Sequence, residues 1–105
     1  MASELERRIL DVIRTLREGE VVSYGDIAVD AGFPGRSRAV GHVLAMSSDE
    51  HDLPWWRVVN SVGRLVPGHE AEQAGLLREE GVTVRAGRVT AARYGRFRPA
   101  RPANP

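Results

Sequence analysis

Two adjacent tryptophans, Trp55 and Trp56, stand in the segment Pro54-Trp55-Trp56-Arg57-Val58-Val59 of a 105-residue chain that has no cysteine. Thiolate nucleophiles, disulfides and zinc-thiolate sites are therefore excluded. No serine or threonine is followed by a convincing base, so no catalytic residue is assigned. His42, His51 and His69 lack metal-ligand spacing, so neither a metal nor a cofactor is expected. What remains is the chemistry of contact. An indole face stacks on a nucleobase or covers an alkyl group, and base–aromatic stacking contributes about 1–3 kcal/mol per base. All fifteen basic residues are arginine. A planar guanidinium stacks and hydrogen-bonds at once, which an ammonium does not.

The net charge of +1 hides an uneven distribution. Residues 85 to 101 carry six arginines and no acid, whereas residues 69 to 81 carry four glutamates and one arginine. The basic stretch is compatible with nucleic acid and equally with a solvated terminus. A chain of this length is one domain, expected over residues 1–98, with a flexible Pro/Arg-containing tail over 99–105. No apolar run is long enough to span a bilayer, and the N-terminus lacks the features of a signal peptide. A monomer in the cytoplasm is the default expectation.

Ile9, Val12, Ile13 and Leu16 recur at helical spacing. Ser3 with Glu6 reads as a capping box and Gly19 as a stop, predicting a helix over 4–18. Ser23 caps a short helix over 24–31, ended by Gly32. Phe33-Pro34-Gly35 is a turn, and a third helix follows over 37–46. Two short helices around such a turn suggest a helix-turn-helix. Ser47 to Asp52 reads as a polar loop, and Val58-Val59 with Arg64-Leu65-Val66 as a β-hairpin. A fourth helix over 70–80 stops at Gly81, and residues 82–89 suggest a terminal strand or hairpin. The fold class predicted is mainly α with small β-hairpins, a single winged helix-turn-helix-like domain.

The order of these segments resembles the O6-alkylguanine-DNA alkyltransferases. Val22-Ser23-Tyr24-Gly25-Asp26-Ile27-Ala28 is similar to the family's Ser-Tyr-Gly-x-Ile-Ala, and Arg38-Ala39-Val40-Gly41 matches its Arg-Ala-Val-Gly. Pro54 to Val59 parallels its active-site Pro-Cys-His-Arg-Val-Val. Asn60-Ser61 with Gly63, then Leu76-Leu77-Arg78-Glu79-Glu80-Gly81-Val82, complete the series. Trp55 stands where those enzymes have the cysteine that accepts the alkyl group, which identifies the chain more narrowly as resembling the alkyltransferase-like proteins. Trp56 stands at the histidine position, Ser47 where an asparagine is common, and Val66-Pro67-Gly68-His69 replaces the family's lesion-side loop.

The resemblance implies a non-enzyme that binds and flips O6-alkylguanine in double-stranded DNA through the minor groove, leaves the alkyl group in place and flags it for nucleotide excision repair proteins. Arg38 would be the finger that fills the vacated stack, and Tyr24 the residue that crowds the phosphate of the flipped nucleotide. Gly25, Ala39, Gly41 and Ser61 would approach the DNA, with Arg36 and Ser37 near its backbone. The lesion pocket would be formed by Tyr24, Trp55, Trp56, Val58, Ser61 and His69. Because neighbours on an extended segment point to opposite sides, the two tryptophans need not both face the base. Arg57 would brace the hairpin, and Glu80, without a histidine to orient, would bond backbone amides. The rival reading of the same elements is a winged-helix regulator that reads sequence. An enzyme with another nucleophile ranks below both.

Overall fold

The computed structural model of the chain describes residues 3–99. The expected tail lies outside the described residues except for Pro99. Helix α1, Glu4–Arg14, starts at Ser3, whose Oγ accepts from the Glu6 amide at 3.1 Å. It buries Ile9, Leu10 and Ile13. It ends four residues earlier than the spacing predicts. The Thr15 hydroxyl turns back onto the Val12 carbonyl, the Leu16 carbonyl accepts from Arg57, and the Gly19 amide donates to Glu80. With the Leu16 carbonyl and the Gly19 amide taken by distant side chains, the chain leaves the helix.

It leaves into strand β1, Glu20–Ser23, which the sequence reading missed. β1 is the middle of a three-stranded parallel sheet. On one side lies β2, Val58–Val59, with Val22 opposite Val58; on the other lies β5, Tyr94–Gly95, with Glu20 opposite Tyr94. The expected hairpin over 58–66 does not form: Val58 and Val59 pair with β1, and its other arm pairs with residues 87–89, where the Leu65 amide donates to the Gly87 carbonyl and the Val89 amide to the Gly63 carbonyl. The segment after them wraps around the Asn60 side chain, whose Oδ1 accepts from the amides of Val62 and Arg64. Gly95 has φ +87°, and a Cβ there would run into the Val21 backbone, so this edge strand requires glycine.

Helix α2, Tyr24–Asp30, opens with a complete capping box between Ser23 and Asp26. Helix α3 spans Ser37–His51, five residues beyond its expected end. Ser47 to His51 contain no glycine or proline, so polarity alone does not stop the helix. The break comes at Asp52, whose φ is +52°. Trp55–Arg57 form a 3-10 turn rather than an extended segment. Helix α4, Glu70–Glu79, precedes an antiparallel hairpin of β3, Thr83–Arg85, and β4, Arg88–Ala91. The architecture is the mainly helical, winged helix-turn-helix-like one expected, with α2 and α3 as the helix pair.

The parallel sheet divides the interior in two. Side chains alternate along a strand. Val22 and Val58 join Ile9, Ile13, Ile27, Val40 and Leu53 on the helical side, while Val21 and Val59 join Leu65, Leu77, Val82, Val84 and Val89 on the other. Of the arginines in the basic stretch, Arg88, Arg93 and Arg96 are held rather than free, Arg88 by donating to the Val62 carbonyl. Arg93 lies over the Tyr94 ring, and Arg96 bonds Asp26 and the Ser61 carbonyl. Among the described residues no helix is long and apolar enough to cross a membrane.

Candidate nucleic-acid interface

The N-terminus of α2, the first turns of α3, the Trp55 turn and the start of α4 converge on a cavity of about 310 Å³. Tyr24 is the first residue of α2, where the capping box fixes the direction of the chain. Gly41, Leu44 and Ala45 come from one face of α3, at the three- and four-residue spacing that keeps side chains together. Trp55, Val66, His69 and Glu72 close the opposite side. The Trp55 ring packs on the helical core and meets the His69 ring edge-on at 6.0 Å. An aromatic wall, aliphatic neighbours and a few polar groups suit a flat, partly polar ligand of nucleobase size.

Arg38 is exposed one turn before Gly41, on the face that leads to the cavity. Arg36 and Ser37 are exposed beside it at the start of α3. Neither Arg36 nor Arg38 has a side-chain partner among the described residues. Gly41 is a mid-helix glycine, which costs about 0.8–1 kcal/mol relative to alanine. A Cβ there would meet nothing within 4 Å, so packing inside the protein does not demand it. Burial pushes the Tyr24 phenol above its ordinary pKa, so it keeps its proton and remains a hydrogen-bond donor at neutral pH.

Of the six residues expected in the pocket, the fold brings Tyr24, Trp55 and His69 together and places the other three elsewhere. Val58 is fully buried in the helical core, because β2 pairs with β1. Ser61 is exposed in the loop after β2. Trp56 turns away: its ring stands at 86° to that of Trp55, packs on the second core and donates from Nε1 to Glu80 at 2.7 Å. Gly25 sits half-buried behind Tyr24, and Ala39 packs on the helical core. Leu44 and Ala45 were open to discovery from the helical period that starts at Gly41. Glu72 carried no signal of its own.

Two buried groups hold the walls. The Gln73 side chain is fully buried. Its Oε1 accepts from the Val66 amide at 2.7 Å, and its Nε2 donates to the carbonyls of Trp56 and Val58 at 3.1 Å. One amide thus ties the Val66 wall to the Trp55 turn. Glu80 accepts from Arg57 through both oxygens, from the Gly19 amide and from the Trp56 indole. Burial alone would raise its pKa. The Arg57 bonds, the Gly19 amide and the Trp56 indole outweigh that and lower it. Arg57 therefore braces the end of α1 against Glu80 rather than a hairpin. Among the described residues no three His, Asp or Glu side chains gather as metal ligands.

Comparison with known proteins places this site in context. Residues 4–82 match the family described as 6-O-methylguanine DNA methyltransferase, DNA binding domain. A DNA base-flipping protein of Vibrio parahaemolyticus is 37% identical over 90 residues, which cover 83% of this chain and 90% of that protein. The alkyltransferase-like protein 1 of Schizosaccharomyces pombe is 33% identical over 85 residues, covering 77% and 79%. The crystal structure of that yeast protein with damaged DNA containing O6-carboxymethylguanine superposes with a TM-score of 0.72 at 32% identity, over 81% of this chain and 83% of that one.

Proposed function

The chain belongs to the family of the 6-O-methylguanine DNA methyltransferase DNA-binding domain, and on that footing we propose that it recognises O6-alkylguanine in duplex DNA without repairing it. The observation that carries the reading is Trp55 in the wall of the cavity, in a chain without cysteine. The site holds an aromatic surface where alkyl transfer would need a thiolate.

Guanine O6 is engaged in base pairing, so inspecting it requires extrusion of the nucleotide at a cost of a few kcal/mol. Three parts of the site answer that need. Tyr24, a protonated phenol at the cavity mouth, crowds the backbone of the nucleotide and displaces it. Arg38 enters the stack from the start of α3, where its guanidinium lies flat between bases and bonds the orphaned cytosine. Trp55 and His69 face the extruded base. Gly41 lets α3 approach the floor of a minor groove closely, as expected of a protein that widens that groove. A regulator that reads base edges needs no such cavity beside its helix. The bound, distorted duplex then marks the lesion for nucleotide excision repair proteins, with the protein acting as a monomer.

Trp55→Cys is expected not to produce an efficient alkyltransferase. A thiol near its usual pKa of about 8.5 is mostly protonated at neutral pH. Its neighbour Trp56 is a donor only, already committed to Glu80, and can neither take up nor relay a proton. Burial beside the Trp56 ring raises the thiol pKa further. Trp55→Cys with Trp56→His restores a group that Glu80 can orient, and should transfer faster than the single variant. The measurement is transfer of a labelled methyl group from O6-methylguanine duplex to the protein. Equal rates for the two variants would show that Trp56 is no obstacle, and transfer by the unaltered chain would end the non-enzymatic reading.

A further inference from the structure

The β3–β4 hairpin lies beyond residue 82, where the family match ends. Its tip faces a second depression, of about 360 Å³, lined by Ala86 and Gly87 together with Asn60, Arg64 and Glu70. Tyr24 lines this depression and the lesion cavity alike, so the hairpin tip stands across Tyr24 from the cavity. Ala86 and Gly87 have φ of +50° and +72°. That is the backbone of a mirror-image two-residue turn, and alanine at its first position is strained. The turn sets Arg85 directly opposite Arg88, and Arg64 bridges to Arg88 from the other side.

Three guanidinium-bearing residues thus occupy adjacent positions on neighbouring strands, an arrangement that destabilises a sheet. All three are exposed. Arg88 uses its Nε on the Val62 carbonyl, while the side chains of Arg64 and Arg85 have no partner among the described residues. The one carboxylate in the depression, Glu70, accepts from the Gly68 amide. Self-repulsion and a strained turn bring no return within the protein. They bring one if a polyanion lies against the tip.

We propose that the β3–β4 hairpin is a second DNA-binding element, in which Arg64, Arg85 and Arg88 grip backbone phosphates of the strand whose nucleotide Tyr24 displaces. The proposal rests on the reading that the Tyr24 and Arg38 face binds DNA. It adds a hold on the strand next to the point of extrusion that depends on neither the sequence nor the state of the base.

Each phosphate contact contributes about 0.9 to the slope of log affinity against log salt concentration. The double variant Arg64→Gln with Arg85→Gln is therefore expected to lower that slope by about 2. It should weaken binding to an O6-methylguanine duplex and to its unmodified counterpart by the same factor. Arg64→Lys with Arg85→Lys should keep the slope and melt like the unaltered chain, since the charges stay, whereas the glutamine double should melt no lower than the unaltered chain, since the like charges are relieved. An unchanged slope in the glutamine double, or a loss confined to the modified duplex, would overturn the clamp. Arg38→Ala measured alongside separates the two readings: if it weakens binding and the glutamine double does not, only the clamp fails. If neither changes binding, the DNA-binding face itself has been misplaced.

Discussion

Arg57→Ala is expected to destabilise the fold by about 3–5 kcal/mol, the usual cost of removing one partner of a buried ion pair. The Arg57 and Glu80 side chains are only 15% and 8% exposed. Without the guanidinium, the carboxylate keeps the Gly19 amide and the Trp56 indole but loses its counter-charge, and the Leu16 carbonyl loses its donor. Domains of this size hold about 5–15 kcal/mol in all, so the variant stands near the edge of folding. The pair also carries a pH signature. Glu80 is depressed below the ordinary glutamate pKa in the folded state. Its contribution is therefore complete above the unfolded value and is lost as pH falls through the folded one. Urea unfolding of the unaltered chain and of Glu80→Gln across the acid range checks this. The stability gap between them should be wide at neutral pH and shrink on acidification. An Arg57→Ala loss below 1 kcal/mol, or a gap that does not move with pH, would mean that the pair does not anchor the α1 end to the Trp55 turn.

Arg38→Ala is expected to weaken binding to an O6-alkylguanine duplex by about 1–3 kcal/mol, the worth of a stacked or charge-assisted contact, or about 5- to 150-fold. Arg98→Ala should cost far less, since an exposed arginine near the described C-terminus makes at most a screened phosphate contact. Titration of one labelled duplex with the two variants decides the order. If Arg98→Ala proves the more damaging, the C-terminal arginines are the principal hold on DNA, and α3 has been given the wrong role.

The parts of this fold that were legible from sequence are those with local chemistry. Ser3 and Ser23 announce their helices by capping, and Gly32 and Gly81 follow helix ends as glycine does. β1 was not legible because two valines in four residues carry no period, and their partners at Val58 and Tyr94 are distant along the chain. That omission had consequences. A segment read as one arm of a hairpin is in fact a sheet edge preceded by a 3-10 turn, so Val58 goes into the core and Trp56 goes to Glu80. The end of α3 was missed for a different reason: serine and acidic residues lower helix propensity without forbidding the helix. At the site, the family motifs carried Tyr24 and Trp55 into the cavity, and His69 enters it from the loop where the chain departs from those motifs. Gln73 and Glu72, which hold and line its α4 side, have no local pattern to mark them, since their roles exist only once α4 is packed.

The most direct measurement compares the affinity of the unaltered chain for one duplex and for the same duplex bearing a single O6-methylguanine, at fixed salt. A weakened lesion pair costs less to open, and the Trp55 cavity then receives the base, so both effects favour the modified duplex. Markedly tighter binding to the modified duplex is expected, with the methyl group still on the DNA after prolonged incubation. Equal affinity for the two duplexes would contradict it.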